Sequence, residues 1–212
     1  MKQYQIDRIK DLMDAKGITL QFNTIIFDFD GTLLDTEPWQ QYEYLFKKPK
    51  QGSEERKQGR KEYLRHITDC RQWDGMEEVL ECIRQHHLRV CVVSANTKDR
   101  VLTAIKAFGW EDVIDKNNII GCYALGRRKR VSKDGGDSRL FNKAMEILEV
   151  KPCECIAFGN EVSDTHAAQN AGITAYNCLW GASEDEAKAM TETMPSICLH
   201  KPSEIIEVLK IK

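Results

Sequence analysis

Residues 23–36 read NTIIFDFDGTLLDT, and the rest of the chain is arranged around them. Ile25, Ile26 and Phe27 form a short apolar run of the kind a buried parallel strand needs. Asp28 and Asp30 follow at alternate positions, then Gly31 and Thr32. A strand ending in carboxylates at i and i+2 projects both beyond its C-terminal end, which is where ligands bind in an open α/β sheet. Gly31 allows a sharp turn and brings backbone amides close to a ligand. Taken alone, an Asp-Gly pair is also an ordinary polar turn.

Outward from this stretch the chain alternates strands and helices. The spacing predicts strands over residues 88–93, within 113–120, over 155–158, 174–179 and 197–199. Between them lie apolar faces of helical period: Met76, Val79, Leu80 and Ile83; Val101, Leu102, Ile105 and Phe108; Leu140, Phe141, Ala144, Ile147 and Leu148. Ser183 and Glu186 have capping-box spacing, and Ile205, Ile206 and Leu209 mark a final helix. This rhythm predicts an α/β fold of three layers, a parallel sheet covered on both faces in Rossmann-like fashion. Residues 3–16 predict a further helix through Ile6, Ile9, Leu12 and Met13. Residues 37–70 interrupt the alternation. Trp39, Tyr42, Leu45 and Phe46 suit a short helix; residues 47–62 are charged and read as an exposed loop; apolar spacing returns at Tyr63, Leu64 and Ile67. The expected organisation is a core of residues 1–36 and 71–212, with residues 1–22 as its extra N-terminal helix and a small helical insertion at 37–70.

Composition narrows the classes. With 212 residues, 42% hydrophobic, the chain can bury a full core. A net charge of -2 and a pI near 6.2 give no global attraction to nucleic acid. There is no apolar run of about 20 residues for a membrane span and no apolar signal-peptide region. The 8 cysteines are scattered, several within apolar runs, as in a reduced cytoplasmic protein. Cys153 and Cys155 lack the spacing of a zinc site, and the five histidines show no metal spacing.

DFDGTLLDTE, directly after an apolar strand, resembles the first motif of the haloacid dehalogenase (HAD) superfamily, D-x-D-G-T-(L/V)-x-D. The resemblance extends over about residues 23–209, apart from the insertion, and implies a HAD core with a small cap of C1 type. It further implies a phosphatase working through a covalent aspartyl-phosphate, with Asp28 as nucleophile and Asp30 as acid and base. Asp30 argues for phosphate esters rather than carbon–halogen bonds, because a leaving halide needs no proton. Ser94, in VVSANT, matches the phosphate-binding residue after the second core strand, with the amides from Ala95 onward as further donors. Lys133, in RVSKDGGD, stands 27 positions before Asn160, as the family's lysine does before its fourth motif. That motif is FGNEVSD here, followed by CLWG at 178–181. Asn160 occupies the place of the family's main carboxylate ligand, so Mg²⁺, held by Asp28, Asp30 (through its backbone carbonyl), Asn160 and Asp164, is expected to bind more weakly.

The expected substrate is a small phosphate ester, with no nucleic-acid or membrane partner. An inactive or weakened HAD-like binding protein, with a basic run at residues 127–130 holding an anion, is the alternative. A phosphomutase fits less well, since so small a cap would exclude water poorly. The sequence leaves the substrate and the oligomeric state open.

Overall fold

The computed structural model describes residues 22–126 and 129–209. The helix expected over residues 3–16, and Arg127 and Arg128 of the basic run, lie outside them. The strands are β1 Thr24–Phe27, β2 Leu34–Asp35, β3 Arg71–Gln72, β4 Arg89–Val93, β5 Ile119–Ile120, β6 Cys155–Gly159, β7 Thr174–Cys178 and β8 Cys198–Leu199. The helices are α1 Glu37–Gln40, α2 Tyr44–Lys47, α3 Glu54–Arg65, α4 Met76–Gln85, α5 Lys98–Ala107, α6 Arg139–Leu148, α7 Val162–Asn170, α8 Glu184–Thr193 and α9 Glu204–Leu209.

Six strands form one parallel sheet in the order β5-β4-β1-β6-β7-β8, with β1 central. All four residues of β1 are fully buried. Their side chains alternate between two cores. Ile25 and Phe27, with Val90, Val92, Ile156 and Phe158, meet the apolar stripes of α4, α5 and α9. Ile26, with Cys91, Val93 and Ala157, meets α6 and α7. Period-2 alternation within a sheet buried on both faces thus gives three layers. All eight cysteines are free thiols, five of them buried. Among the described residues no helix is long and apolar enough to cross a membrane.

Residues 37–70 sit between the strands of an antiparallel ribbon, Leu34 paired with Gln72 and Asp35 with Arg71. Trp39 is fully buried there, stacked on Tyr63 with ring centroids 4.6 Å apart, and its Nε1 donates to the Tyr63 carbonyl at 2.7 Å. These rings join Phe29, Leu33 and Leu34 in one apolar cluster, so the insertion shares the main core.

Two expectations need correction. Most of the expected loop over residues 47–62 is helix α3. Ser53 caps it by accepting from the Arg56 amide at 3.2 Å, and Lys57–Glu54 and Arg65–Glu62 pairs run along its exposed face. A Cβ on Gly59 would overlap the Leu45 carbonyl, so α3 docks on α2 through a residue with no side chain. That contact leaves no apolar period to read. The Ser183–Glu186 box is half formed. Ser183 accepts from the Glu186 amide at 3.2 Å, but the Glu186 carboxylate accepts from the Val162 amide at 2.9 Å and joins α8 to the start of α7.

Candidate active site

β1 carries the first carboxylate to the sheet's C-terminal edge. The Asp28 amide still donates to the Phe158 carbonyl at 2.9 Å, so strand pairing fixes the backbone beneath its side chain. The chain then turns at Gly31, φ +76°, and the Gly31 amide donates to the Leu34 carbonyl at 2.8 Å. This turn abuts the loop after β7: a Cβ on Gly181 would overlap the Gly31 carbonyl. Trp180 Nε1 donates to the Thr32 carbonyl at 3.1 Å, locking the two loops together.

A cleft of about 290 Å³ opens above this edge, lined by Asp28, Asp30, Ala95, Lys133, Glu161 and Asp164, with Asn96, Arg100 and insertion residues as its far wall. Lys133, 4% exposed, forms ion pairs with both Asp28 and Asp164 and lies 3.4 Å from the Val93 carbonyl. Burial pushes Asp28 well above the usual carboxylate range; Lys133 opposes this, and the Asp164 and Asp30 carboxylates reinforce it. Burial alone would lower Lys133, but Asp164 and Asp28 together hold its ammonium above the ordinary range. Burial and the nearby Asp164 push Glu161 up. Asp164 occupies the first turn of α7, where its Oδ2 accepts from the Glu161 amide at 3.1 Å. Its Oδ1 is buried and pairs with the Lys133 ammonium.

Asp30 is held by a network that sequence reasoning missed. Its carboxylate accepts from Thr36 Oγ1 at 2.7 Å, from Arg100 Nη2 at 2.9 Å and from Asn96 Nδ2. Arg100, 5% exposed, also donates to Glu43 in the insertion at 2.8 Å and to Asn96 Oδ1 at 3.0 Å, and lies 4.6 Å over the Trp39 ring. One guanidinium therefore ties core, insertion and second carboxylate together. A signal was present: a cation in the first turn of α5 opposes the helix dipole and calls for an anionic partner.

Ser94 and Asn160 lie behind the cleft rather than on its wall. Ser94 is fully buried, and its Oγ accepts from the Asn96 amide at 3.0 Å, shaping the loop whose Ala95 reaches the cleft. Asn160 Oδ1 accepts from Thr32 Oγ1 at 2.9 Å, and its Nδ2 donates to the Gly181 carbonyl at 2.8 Å. The Gly181 carbonyl needs a donor, which fixes the amide's orientation. Of the residues marked out by sequence, five therefore share one cleft, and two support the loops around it.

Among the described residues no three His, Cys, Asp or Glu side chains form a metal cage. Magnesium asks for less: one or two carboxylates, with phosphate oxygens and waters completing its shell. Asp28 and Asp164, two buried carboxylates brought together on one lysine at the edge of the cleft, fit that demand.

The model of the haloacid dehalogenase-like hydrolases matches residues 38–177, about two-thirds of the chain. The chain belongs to this hydrolase family, and its parallel sheet is the family's Rossmann-like fold. It is 23% identical to a phosphorylated carbohydrates phosphatase of Thermotoga maritima, over 88% of this chain and 97% of that one. It is 20% identical to the pyrophosphatase PpaX of Listeria monocytogenes, over 91% and 99%. A haloacid dehalogenase-like hydrolase of Streptococcus pneumoniae superposes with a TM-score of 0.66 at 18% identity, covering 89% of this chain and 98% of that one.

Proposed function

We propose that the protein is a magnesium-dependent phosphatase that hydrolyses small phosphate esters through a phosphoryl group carried on Asp28. The observation that carries this reading is the trio of Asp28, Lys133 and Asp164 buried at the end of the central strand. Curated relatives named as phosphatase and pyrophosphatase agree with it.

Asp28 in its ionised form attacks phosphorus, and the bond from phosphorus to the ester oxygen breaks. Asp30 gives the departing alkoxide a proton. Its carboxylate then takes a proton from the water that attacks the aspartyl-phosphate, releasing phosphate and restoring Asp28. Such acid–base help is typically worth about 10²–10⁴ in rate. Arg100, Asn96 and Thr36 fix the orientation of Asp30. Lys133 places a positive charge beside Asp28, where it offsets charge gathering on the phosphoryl oxygens. The loop at Ala95 offers its backbone amide to the same oxygens, and Ser94, by accepting from the Asn96 amide, holds that loop in shape. A magnesium ion held by Asp28 and Asp164 would screen the repulsion between nucleophile and substrate phosphate.

The test is to quench a reaction with radiolabelled acetyl phosphate in acid and to map the label. Label is expected on the peptide containing Asp28 and none is expected in Asp28→Asn. Label elsewhere, or turnover by that variant, overturns the mechanism. One observation favours a second reading, binding without turnover: Asn160 spends its amide on Thr32 and Gly181. Metal-dependent turnover by the wild type would exclude it.

A further inference from the structure

Beside the cleft of Asp28 a second hollow, about 240 Å³, opens between the insertion and the loops after β4 and β5. Both hollows are lined by Glu43, Lys47, Ala95, Asn96 and Arg100, so they adjoin. The second adds Arg56, Arg60 and Arg130. Some of these charges are already matched: Lys47 pairs with Glu43, Arg60 with Asp99, and Arg100 with Asp30 and Glu43. Arg56 and Arg130 are not. Arg56 donates to the Pro49 carbonyl at 3.3 Å and lies 5.9 Å from the centre of the Phe46 ring. Arg130 donates to the Ala95 carbonyl at 3.2 Å. Among the described residues neither has a carboxylate within ion-pair distance.

The walls are also short of acceptors. Tyr63 Oη and Arg100 Nε are buried without a hydrogen-bond partner among the described residues, and both residues line this hollow. These two guanidinium groups without a carboxylate partner line the same hollow, and such groups suit the oxygens of a phosphate. Their surplus of two charges corresponds to a phosphate dianion rather than to a carboxylate.

Resting on the phosphatase reading, we infer that this hollow takes a second phosphate group carried by the leaving alcohol, so that the preferred substrate class is a bisphosphate ester. The Asp28 cleft takes the phosphate to be removed, and Arg56 and Arg130 hold the one that remains.

The test compares propyl phosphate with alkanediol bisphosphates from ethane to hexane. In phosphate-release assays the wild type is expected to show a kcat/KM at least about tenfold higher for the best bisphosphate than for propyl phosphate. Arg56→Ala with Arg130→Ala is expected to bring that ratio near one. A wild-type ratio near one, or a ratio unchanged in the double variant, overturns the inference while leaving the phosphatase reading intact. Titration calorimetry of the same compounds without metal gives an answer independent of turnover. The same tenfold preference, lost in the double variant, is expected there, and equal binding of mono- and bisphosphate refutes the second site even if no ester is hydrolysed. Circular dichroism of the double variant checks that it has folded.

Discussion

Replacing Arg100 by methionine keeps much of the buried stem and removes the cation. In the folded protein the guanidinium makes hydrogen bonds to Asp30, Glu43 and Asn96 and stacks on Trp39. Hydrogen bonds to charged groups contribute about 1.5–3 kcal/mol each, and a cation over an aromatic face about 0.5–2 kcal/mol. Breaking a fully buried pair costs about 3–5 kcal/mol because a charge is left uncompensated. The full sum does not apply here. The Asp30 and Glu43 side chains keep 21% and 19% of their exposure, and Lys47 still pairs with Glu43. A net loss of about 3 kcal/mol follows, or roughly 6–12 °C in Tm at about 2–4 °C per kcal/mol for a chain of this size. Urea unfolding of the wild type, Arg100→Met, Glu43→Gln and the double variant measures it. The double variant should lose less than the two single losses added together, by about 1–2 kcal/mol, because Glu43→Gln removes one of the stranded charges. Turnover of a phosphate ester should fall by about 10²-fold as Asp30 loses its fixed orientation. A loss below about 0.5 kcal/mol, or simple additivity, would refute the claim that this arginine ties core to insertion.

Three further predictions rest on the same contacts. Lys133→Met removes the cation that pairs with both Asp28 and Asp164 and should cost about 10²–10³ in kcat; because Lys133 opposes the upward push of burial on Asp28, the acidic limb of the remaining activity should move to higher pH, read from a pH–rate profile. Asn160→Asp sets a carboxylate against the Gly181 carbonyl in place of a donor and should lower stability by about 1–3 kcal/mol in metal-free buffer, with added Mg²⁺ raising its Tm more than that of the wild type. Gly181→Ala forces the loops after β1 and β7 apart, and thermal unfolding should register a loss of at least about 1–3 kcal/mol together with lost turnover.

What the sequence made legible was local. An apolar strand with carboxylates at i and i+2 and helical stripes between strands located β1 and the three layers, and the resemblance to the family's motifs pointed to Asp28, Asp30, Ala95, Lys133 and Asp164 of the cleft. Long-range balances of charge and shape escaped it. Arg100 meets Asp30 across 70 positions and Glu43 across 57, so its place in the first turn of α5 calls for an anion without naming which one. Helix α3 packs through Gly59 and carries its charges outward, which makes its sequence look like a loop. Asn160 read as an altered metal ligand, whereas its amide also joins two loops that come together only in the folded sheet.

The most direct test of the central claim is hydrolysis of p-nitrophenyl phosphate by the purified wild-type protein, with Mg²⁺ and after its removal by EDTA. The account predicts turnover that requires the metal, returns when Mg²⁺ is restored, and is absent from Asp28→Asn. Turnover that survives in Asp28→Asn, or none from the wild type at any Mg²⁺ concentration on this ester or on the bisphosphates, would contradict it.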